Sequence, residues 1–532
     1  MGSWRVGGIW GAPPCAIRRT QSGGAALRRA ERGAGGAPPA RAPRARPPFR
    51  RATRARFIFR SVLALVVLLL PPLAAAASPT AQEVDGAQRF GVVEAYYRPD
   101  DARELGVGWE RIIFDWAQFQ PHSPLQFNTD AVPEAWLQEA HDAGREVVGL
   151  LKSTPRWASD GTLPGLPPHG LDYPIDDPRN YWAAFVRKVV GYYGERWGIT
   201  HWIVLNEPDL RPGEIAWYEF DGGVPEYYQM LKVAYLAAKQ ANPEAVIHLA
   251  GMAWWTDVAA GRPPYLERLL AYAARDPQAY EHGFFFDVVT VHGYFKTRDF
   301  WNMLMQVRGV LWHYGLQEKP LWVGECNARP SRDPLAELPD DPPYAVTLAQ
   351  QADFIVQAAA LSLAAGVERF AVYRLYDDHY TPRETEPWGL VRADGSRRPA
   401  FGAYRTVIRE FAATQRAFYR WSDHAALVVL QQPERTLYVL WARRAVPVTF
   451  YVRAHGYGER GTRLDVYGVA RPVRAQRIYG EAAGAWFVER VAAATPQPDG
   501  TLAVEGRPIL LALEGPPRAV WVEVNGAVWG MY

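Results

Sequence analysis

His201-Trp-Ile-Val-Leu-Asn-Glu-Pro-Asp-Leu210 is the stretch from which the fold is read. Its apolar run, Trp202 to Leu205, has the length of a buried strand, and Pro208 fixes a turn directly after it. Asn206 and Glu207 are thereby delivered to the carboxyl end of that strand. Leu321-Trp-Val-Gly-Glu-Cys-Asn327 repeats the arrangement and brings Glu325 to a second strand end, with Gly324 allowing close backbone approach.

Working outward, short apolar runs alternate with amphipathic stretches from residue 90 to about 410. The candidate strands are Phe90–Glu94, Arg111–Phe114, Glu146–Leu151, Trp202–Leu205, Val246–Ala250, Phe286–Val291, Leu321–Gly324 and Phe370–Arg374. Between them, Trp182, Phe185, Val186, Val189, Val190, Tyr193 and Trp197 recur at three- and four-residue spacing and predict a helix. A second helix is expected from Pro225 to Gln240, stopped at Asn242-Pro243, and a third from Ala349 to Ala365, stopped at Gly366. Eight strands alternating with helices predict an α/β chain, a (β/α)8 TIM barrel over residues 85–415. A doubly wound open sheet would want a glycine-rich phosphate turn after its first strand. Val92-Val-Glu-Ala-Tyr-Tyr-Arg-Pro99 offers none.

Helical periodicity fades beyond residue 418. Ala425–Leu430, Thr436–Trp441, Val446–Arg453, Arg463–Tyr467, Thr501–Val504 and Ile509–Leu513 read as short strands, with Ala519–Val524 as a further one. Residues 418–532 are therefore expected to form an all-β, sandwich-like accessory domain.

Charge and cysteine usage restrict partners and compartment. Residues 1 to 60 hold 14 arginines and one glutamate; they contribute +13 to a total of +3, so the rest of the chain carries −10. The basicity belongs to a leader over 1–56 that is expected to be disordered, and the body has no nucleic-acid footprint. Phe57 to Ala77, a basic flank followed by a short apolar core, a Pro71-Pro72 break and an Ala-x-Ala ending, reads as a signal peptide cut near Ala77. The expected location is secreted or extracytoplasmic. An uncleaved membrane anchor is the alternative, although the apolar core before Pro71 is shorter than the ~20 residues of a spanning helix. With Cys15 in the leader, Cys326 is the single cysteine of the body, and no intrachain disulfide is available there.

In a TIM barrel the carboxyl ends of the strands form the reactive face. Two glutamates there are what hydrolysis of a glycosidic bond requires: one acid to protonate the leaving oxygen, and a second carboxylate across the ring. Glu207 suits the acid, and Asn206 beside it suits a sugar hydroxyl. The aromatic content of 13%, with 21 tryptophans, is compatible with sugar stacking as well as with large cores.

Asn206-Glu207-Pro208 on the fourth strand and Glu325 on the seventh resemble clan A glycoside hydrolases. Trp217-Tyr-Glu-Phe220 and Pro225-Glu-Tyr-Tyr-Gln-Met-Leu-Lys232 are similar to the family 39 branch, which includes β-xylosidases and α-iduronidases. The Asn-Glu-Pro triplet is shared with family 5. The resemblance implies retention of configuration, with Glu207 as acid/base and Glu325 as nucleophile. It implies that Arg111 keeps the nucleophile ionised, that the His292/Tyr294 pair offers a hydroxyl or imidazole able to contact it, and that Trp388 forms a platform under the first sugar. The expected partner is an oligosaccharide or polysaccharide, and the mechanism calls for no cofactor and no metal. A non-catalytic, carbohydrate-binding TIM barrel is the alternative reading.

Three further features carry weaker readings. Cys326 with His292 would be a nucleophile pair, against a plain buried cysteine. Asp377-Asp378-His379 is a metal-binding triplet, a solvated loop or a sugar contact. Trp157, Trp254 and Trp255 either line the cleft or pack in the core.

Overall fold

The structure, a computed structural model, describes residues 86–532 apart from 162–164, 215–217, 336–345, 378–386, 480–482 and 498. The leader and the export segment lie outside the described residues. Among the described residues no helix is long and apolar enough to cross a membrane.

Eight parallel strands form the first sheet: β1 Phe90–Val93, β2 Trp109–Asp115, β3 Glu146–Lys152, β4 His201–Val204, β5 Val246–His248, β6 Val289–Tyr294, β7 Leu321–Asn327 and β8 Arg369–Val372. Their order is β5-β4-β3-β2-β1-β8-β7-β6, and bridges from His248 to Val288 and from Met252 to Val291 join the two ends. The sheet closes into the barrel that the sequence predicts. The helices form where the apolar spacing placed them: Tyr181–Trp197, capped by the Asn180 side chain and ended by Gly198, then Val224–Ala241 and Leu348–Ala364. Thr347 and Gln350 cap the last of these reciprocally.

Strand alternation fills the barrel. Trp109, Val148, Leu150, Ile203, Trp322 and Ala371 make an inner cluster. At the amino-terminal end of the strands this cluster turns polar. His201 Nδ1 lies 2.8 Å from His248 Nε2, and His248 Nδ1 lies 3.3 Å from Thr290 Oγ1. Glu146 closes the chain, 3.2 Å from His201 Nε2 and 2.7 Å from Arg369.

The sixth strand starts at Val289, three residues later than expected. Gly283–Phe285 form a 3-10 turn, and the Asp287 and Val288 N–H groups are taken by the Ile247 carbonyl.

Eleven antiparallel strands follow: β9 Arg416–Trp421, β10 Ala425–Gln431, β11 Arg435–Ala442, β12 Val448–Arg453, β13 Arg460–Leu464, β14 Ala470–Arg474, β15 Gln476–Ile478, β16 Gly484–Val491, β17 Ile509–Glu514, β18 Val520–Val524 and β19 Ala527–Gly530. They form a six-stranded sheet, β14-β13-β17-β11-β10-β9, and a five-stranded sheet, β15-β16-β12-β18-β19. Leu427, Val429, Phe450, Val452 and Val522 share a core between the two sheets. The alternate residues Val428, Leu430, Val439 and Trp441 join the core of the barrel instead. β10 is thus buried on both faces, which is why it reads as a continuous apolar run.

Thr501–Val504 is not a strand. Ala503 and Val504 are buried, but the Ala503 carbonyl accepts the Thr297 N–H of the barrel at 3.1 Å rather than a ladder partner. β9, β14, β15, β16 and β19 were not among the expected strands. β14, Ala-Arg-Pro-Val-Arg, is an edge strand with four of its five residues exposed, so it carries no apolar alternation.

Candidate active site

The carboxyl ends of the strands depart from regular backbone together. Glu94, Ser153, Leu205, Glu207, Trp254 and Phe295, which follow β1, β3, β4, β5 and β6, all have positive φ, between 41° and 72°. Each costs of order 1–3 kcal/mol in a residue with a side chain, and such strain collects at functional sites. At Glu207 the φ of 41° comes with an N–H donated to the Gly251 carbonyl at 2.9 Å, locking the carboxylate's backbone to the neighbouring strand end. Asp209 ties its own turn to the one after β5. Fully buried, it accepts the Ala253 and Trp254 N–H groups at 3.1 and 2.8 Å and so holds the turn after β5.

Glu325 reaches the interior through an irregularity. Strict alternation from the inward-facing Trp322 would turn Glu325 outward. The register between β6 and β7 shifts after Val291, so that His292 stands opposite Glu325 and Gly324 is skipped. A bulge of this kind re-aims a side chain. A side chain at Gly324 would meet the Thr290 methyl at 2.7 Å.

Five of the expected residues are joined directly. Arg111 Nη1 lies 2.6 Å from Glu325 Oε1, and both side chains are buried. Tyr294 donates its hydroxyl to Glu325 Oε2. His292 Nδ1 lies 2.8 Å from Glu207 Oε1 and 3.4 Å from Glu325 Oε2. Glu207, His292 and Glu325 each present an atom within 4.8 Å of the others. Asn206 bridges to Gly251, and its buried Oδ1 has no hydrogen-bond partner. Trp388 joins through Tyr294, edge to face at 5.1 Å, with only 8% of its surface exposed.

The two glutamates are driven apart electrostatically. Burial pushes Glu207 up to about 7, against the opposing pull of His292. Burial also pushes Glu325 upward, but His292, the Arg111 guanidinium and the Tyr294 hydroxyl outweigh it and hold the carboxyl below its ordinary value. Burial lowers His292, and the two carboxylates, Glu325 foremost, more than offset this and raise it. One group is therefore poised to hold a proton near neutrality and the other to stay ionised.

The Glu207–His292–Glu325 triangle has the residue types of a metal site. Its donors are already committed, since both Glu325 oxygens accept hydrogen bonds and the Arg111 charge stands against one of them. A cation would have to displace Arg111, so the residues present do not fit one.

Other readings are corrected. Cys326 is fully buried and burial pushes its thiol well up, so no thiolate is available for a nucleophile pair with His292. Asp377 is neither a metal ligand nor part of a solvated loop. It is buried, 2.7 Å from Arg398 Nη1, and accepts the Gly389 N–H at 2.7 Å. Asp378 and His379 lie outside the described residues. Trp157 packs against Trp116 and Tyr181 and donates to the Gln120 carbonyl at 2.6 Å. Trp254 donates to Gln306, and Trp255 meets Phe295 edge to face at 6.4 Å.

Four residues with parts in the site were not expected from the sequence. Glu94, at the end of β1, pairs with Arg374 at 3.1 Å, and its charge helps keep Arg111 protonated. The Asn327 amide donates to the Trp388 carbonyl at 2.7 Å and also to that of Tyr373, fixing the chain after β8. Gly251 leaves the space that the His292 ring occupies, since a Cβ there would lie 1.8 Å from Nε2. For Glu94 and Arg374 the available signal was the one used for the glutamates, a charged residue at a strand end.

No protein-family model and no curated protein matches the sequence. Solved structures do share the fold. A family 39 glycoside hydrolase of the gut symbiont Bacteroides cellulosilyticus WH2 is similar with a TM-score of 0.56 and 16% identity, over 81% of this chain and 82% of that one. A family 39 β-xylosidase of Caulobacter crescentus is similar at 0.50 and 16%, over 81% and 97%. A family 30 endoxylanase of Clostridium papyrosolvens C71 is similar at 0.50 and 13%, again over 81% and 97%. The resemblance to clan A glycoside hydrolases read from the sequence thus holds at the level of the fold.

Proposed function

We propose that the chain is a retaining glycoside hydrolase, exported by its amino-terminal segment, acting on an oligosaccharide or polysaccharide. The observation that carries this reading is the pair of buried glutamates, with oxygens within 4.8 Å of each other and acidities pushed in opposite directions. Carboxyl groups about 5–5.5 Å apart leave room for a sugar carbon and none for an intervening water, whereas inverting enzymes need ~6.5–9.5 Å.

In the first step Glu325 attacks the anomeric carbon as Glu207 gives its proton to the leaving oxygen. The glycosidic bond breaks and a glycosyl ester on Glu325 forms. In the second step Glu207, now ionised, takes a proton from water. The hydroxide adds to the anomeric carbon and Glu325 leaves. Asn206 Oδ1 accepts a sugar hydroxyl, which supplies the partner it lacks. His292 holds Glu207 in place, and Arg111 and Tyr294 keep Glu325 anionic until attack.

Purified protein assayed on a panel of aryl glycosides, beside Glu207→Gln and Glu325→Gln, tests the assignment. Hydrolysis is expected from at least one member, with first-formed sugar of unchanged anomeric configuration by NMR. Activity indifferent to both substitutions, or an inverted product, would sink it.

A further inference from the structure

The chain between Arg453 and Tyr479 carries six arginines against two acidic residues, in a body whose net charge is −10. Both acids are already engaged: Glu459 binds Arg518 at 2.7 Å, and Asp465 accepts the Tyr467 and Val469 N–H groups. Arg460 stands directly opposite Arg474, and Arg463 opposite Arg471, in the β13–β14 pair. Like charges in directly opposed positions destabilise a sheet. Arg463 is offset by Glu489 at 3.4 Å, whereas Arg460, Arg471, Arg474 and Arg477 are exposed and make no ion pair among the described residues.

The geometry orders these charges. β14 is the edge of the six-stranded sheet and β15 the edge of the five-stranded one, and only Ala475 separates them in sequence. Arg471, Arg474 and Arg477 therefore follow one edge of the sandwich at three-residue intervals, about 10 Å apart on an extended chain, with Arg471 and Arg474 on opposite faces of β14. Tyr457 and Tyr479, 73% and 79% exposed, stand at the Arg477 end of this edge, where Arg477 lies over the Tyr457 ring and Tyr479 follows two residues later. A single charge and Pro472 would be enough to keep such an edge from pairing with another sheet. Several unpaired guanidinium groups along one edge, with exposed aromatic rings at its end, match a polymer that carries many carboxylates and apolar sugar faces and can reach both faces of the edge.

We propose that this edge binds an acidic polysaccharide, one carrying uronate carboxylates, at a site separate from the glutamate pair. The choice of a polysaccharide over other polyanions rests on the glycosidase reading.

The test is affinity electrophoresis of the full chain through polygalacturonate, with dextran as the neutral control and phosphatidylglycerol vesicles and duplex DNA in parallel binding assays. Using Glu325→Gln protein separates binding from turnover. Polygalacturonate is expected to retard the protein and dextran to leave it alone. Added salt should weaken the retardation. Arg471→Ala/Arg474→Ala/Arg477→Ala should weaken it at least tenfold without lowering the melting temperature, with Arg477→Ala alone as the milder variant. Equal retardation of the variants, equal retention by dextran, or tighter binding to vesicles or DNA would overturn the proposal. An edge that binds polyuronate in a protein without glycosidase activity would overturn the function and leave the edge. An active enzyme indifferent to polyuronate would do the reverse.

Discussion

Arg111 Nη1 sits 2.6 Å from Glu325 Oε1 inside the barrel, and neither side chain reaches solvent to any useful extent. Removing the arginine outright, as in Arg111→Met, breaks a buried pair at a cost of about 3–5 kcal/mol and endangers folding. Arg111→Lys keeps the charge and loses the planar fork. As the proposed nucleophile, Glu325 would have to be ionised to attack, so the rate should climb as pH rises through its pKa. A weaker partner raises that pKa, and the acid limb of kcat/KM should move upward by roughly one pH unit. A folded Arg111→Lys protein with an unmoved acid limb would count against the nucleophile assignment.

Glu207 predicts the other limb. As the proposed acid it would work only while protonated, and burial pushes its titration up to about 7. kcat/KM should therefore fall as pH rises through that region. Glu207→Gln should remove the limb and cost ~10²–10⁴ in kcat on substrates with poor leaving groups. Glycosides with strongly acidic phenol leaving groups should lose far less, since they depart without protonation. Equal losses across the leaving-group series would show that Glu207 is not the acid.

The barrel and both glutamates were legible because strand length, the Pro208 turn and helical spacing are local properties. Glu325 was found as a strand-end residue, but the bulge at Gly324 that turns it inward depends on pairing with β6 and leaves no local trace. Gly251 and Asp209 act across adjacent strands, and Glu94 and Arg374 are 280 positions apart in the chain. The missed strands are mostly edges, where exposure removes the alternation that marks a strand. Thr501–Val504 failed for the opposite reason, since its apolar residues pack on the barrel.

Gly251→Ala probes the position of His292 without removing a polar group. The added Cβ would overlap the ring at Nε2, so the imidazole must move away from Glu207. Overpacking of this kind costs typically ~1–3 kcal/mol. A lower melting temperature should accompany a loss of kcat and a shift in the basic limb, because Glu207 loses the partner that opposes its burial. Wild-type kinetics with a normal pH profile would show that His292 does not position the acid.

The histidine pair at the opposite end of the barrel predicts how stability depends on pH. Burial lowers His201 to about 4 and His248 well below its ordinary value. A histidine depressed in the folded state gains its proton only on unfolding, so its contribution is intact above the unfolded pKa of ~6.5 and is lost as pH falls toward the folded one. Between pH 6.5 and 5 that amounts to about 2 kcal/mol for His201, at ~1.4 kcal/mol per pH unit, and His248 adds to it in the same direction. Urea unfolding at pH 7.5 and pH 5 should show the loss. His201→Gln should flatten the dependence, and a slope identical to the wild type would remove the pair from the explanation.

The β sheets and the barrel should unfold together. One face of β10 and β11 contributes Val428, Leu430, Val439 and Trp441 to the barrel's own core. Polar ties cross the same junction: Arg507 binds Asp353 at 3.0 Å, the Gln357 amide donates to the Gly506 carbonyl at 2.8 Å, and Thr297 donates to Ala503. Gln357 and Asp353 lie on the helix Leu348–Ala364, which packs against β7 and β8, so loosening the sheets exposes the layer behind the strand that carries Glu325. Residues 86–532 should give one calorimetric transition, with the calorimetric and van't Hoff enthalpies agreeing. Ending the chain after Phe411 should leave an insoluble or inactive barrel rather than a smaller working enzyme. Two resolved transitions, or a truncated barrel that keeps full kcat on aryl glycosides, would mean that the sheets are an independent module and that their shared core contributes little to the site.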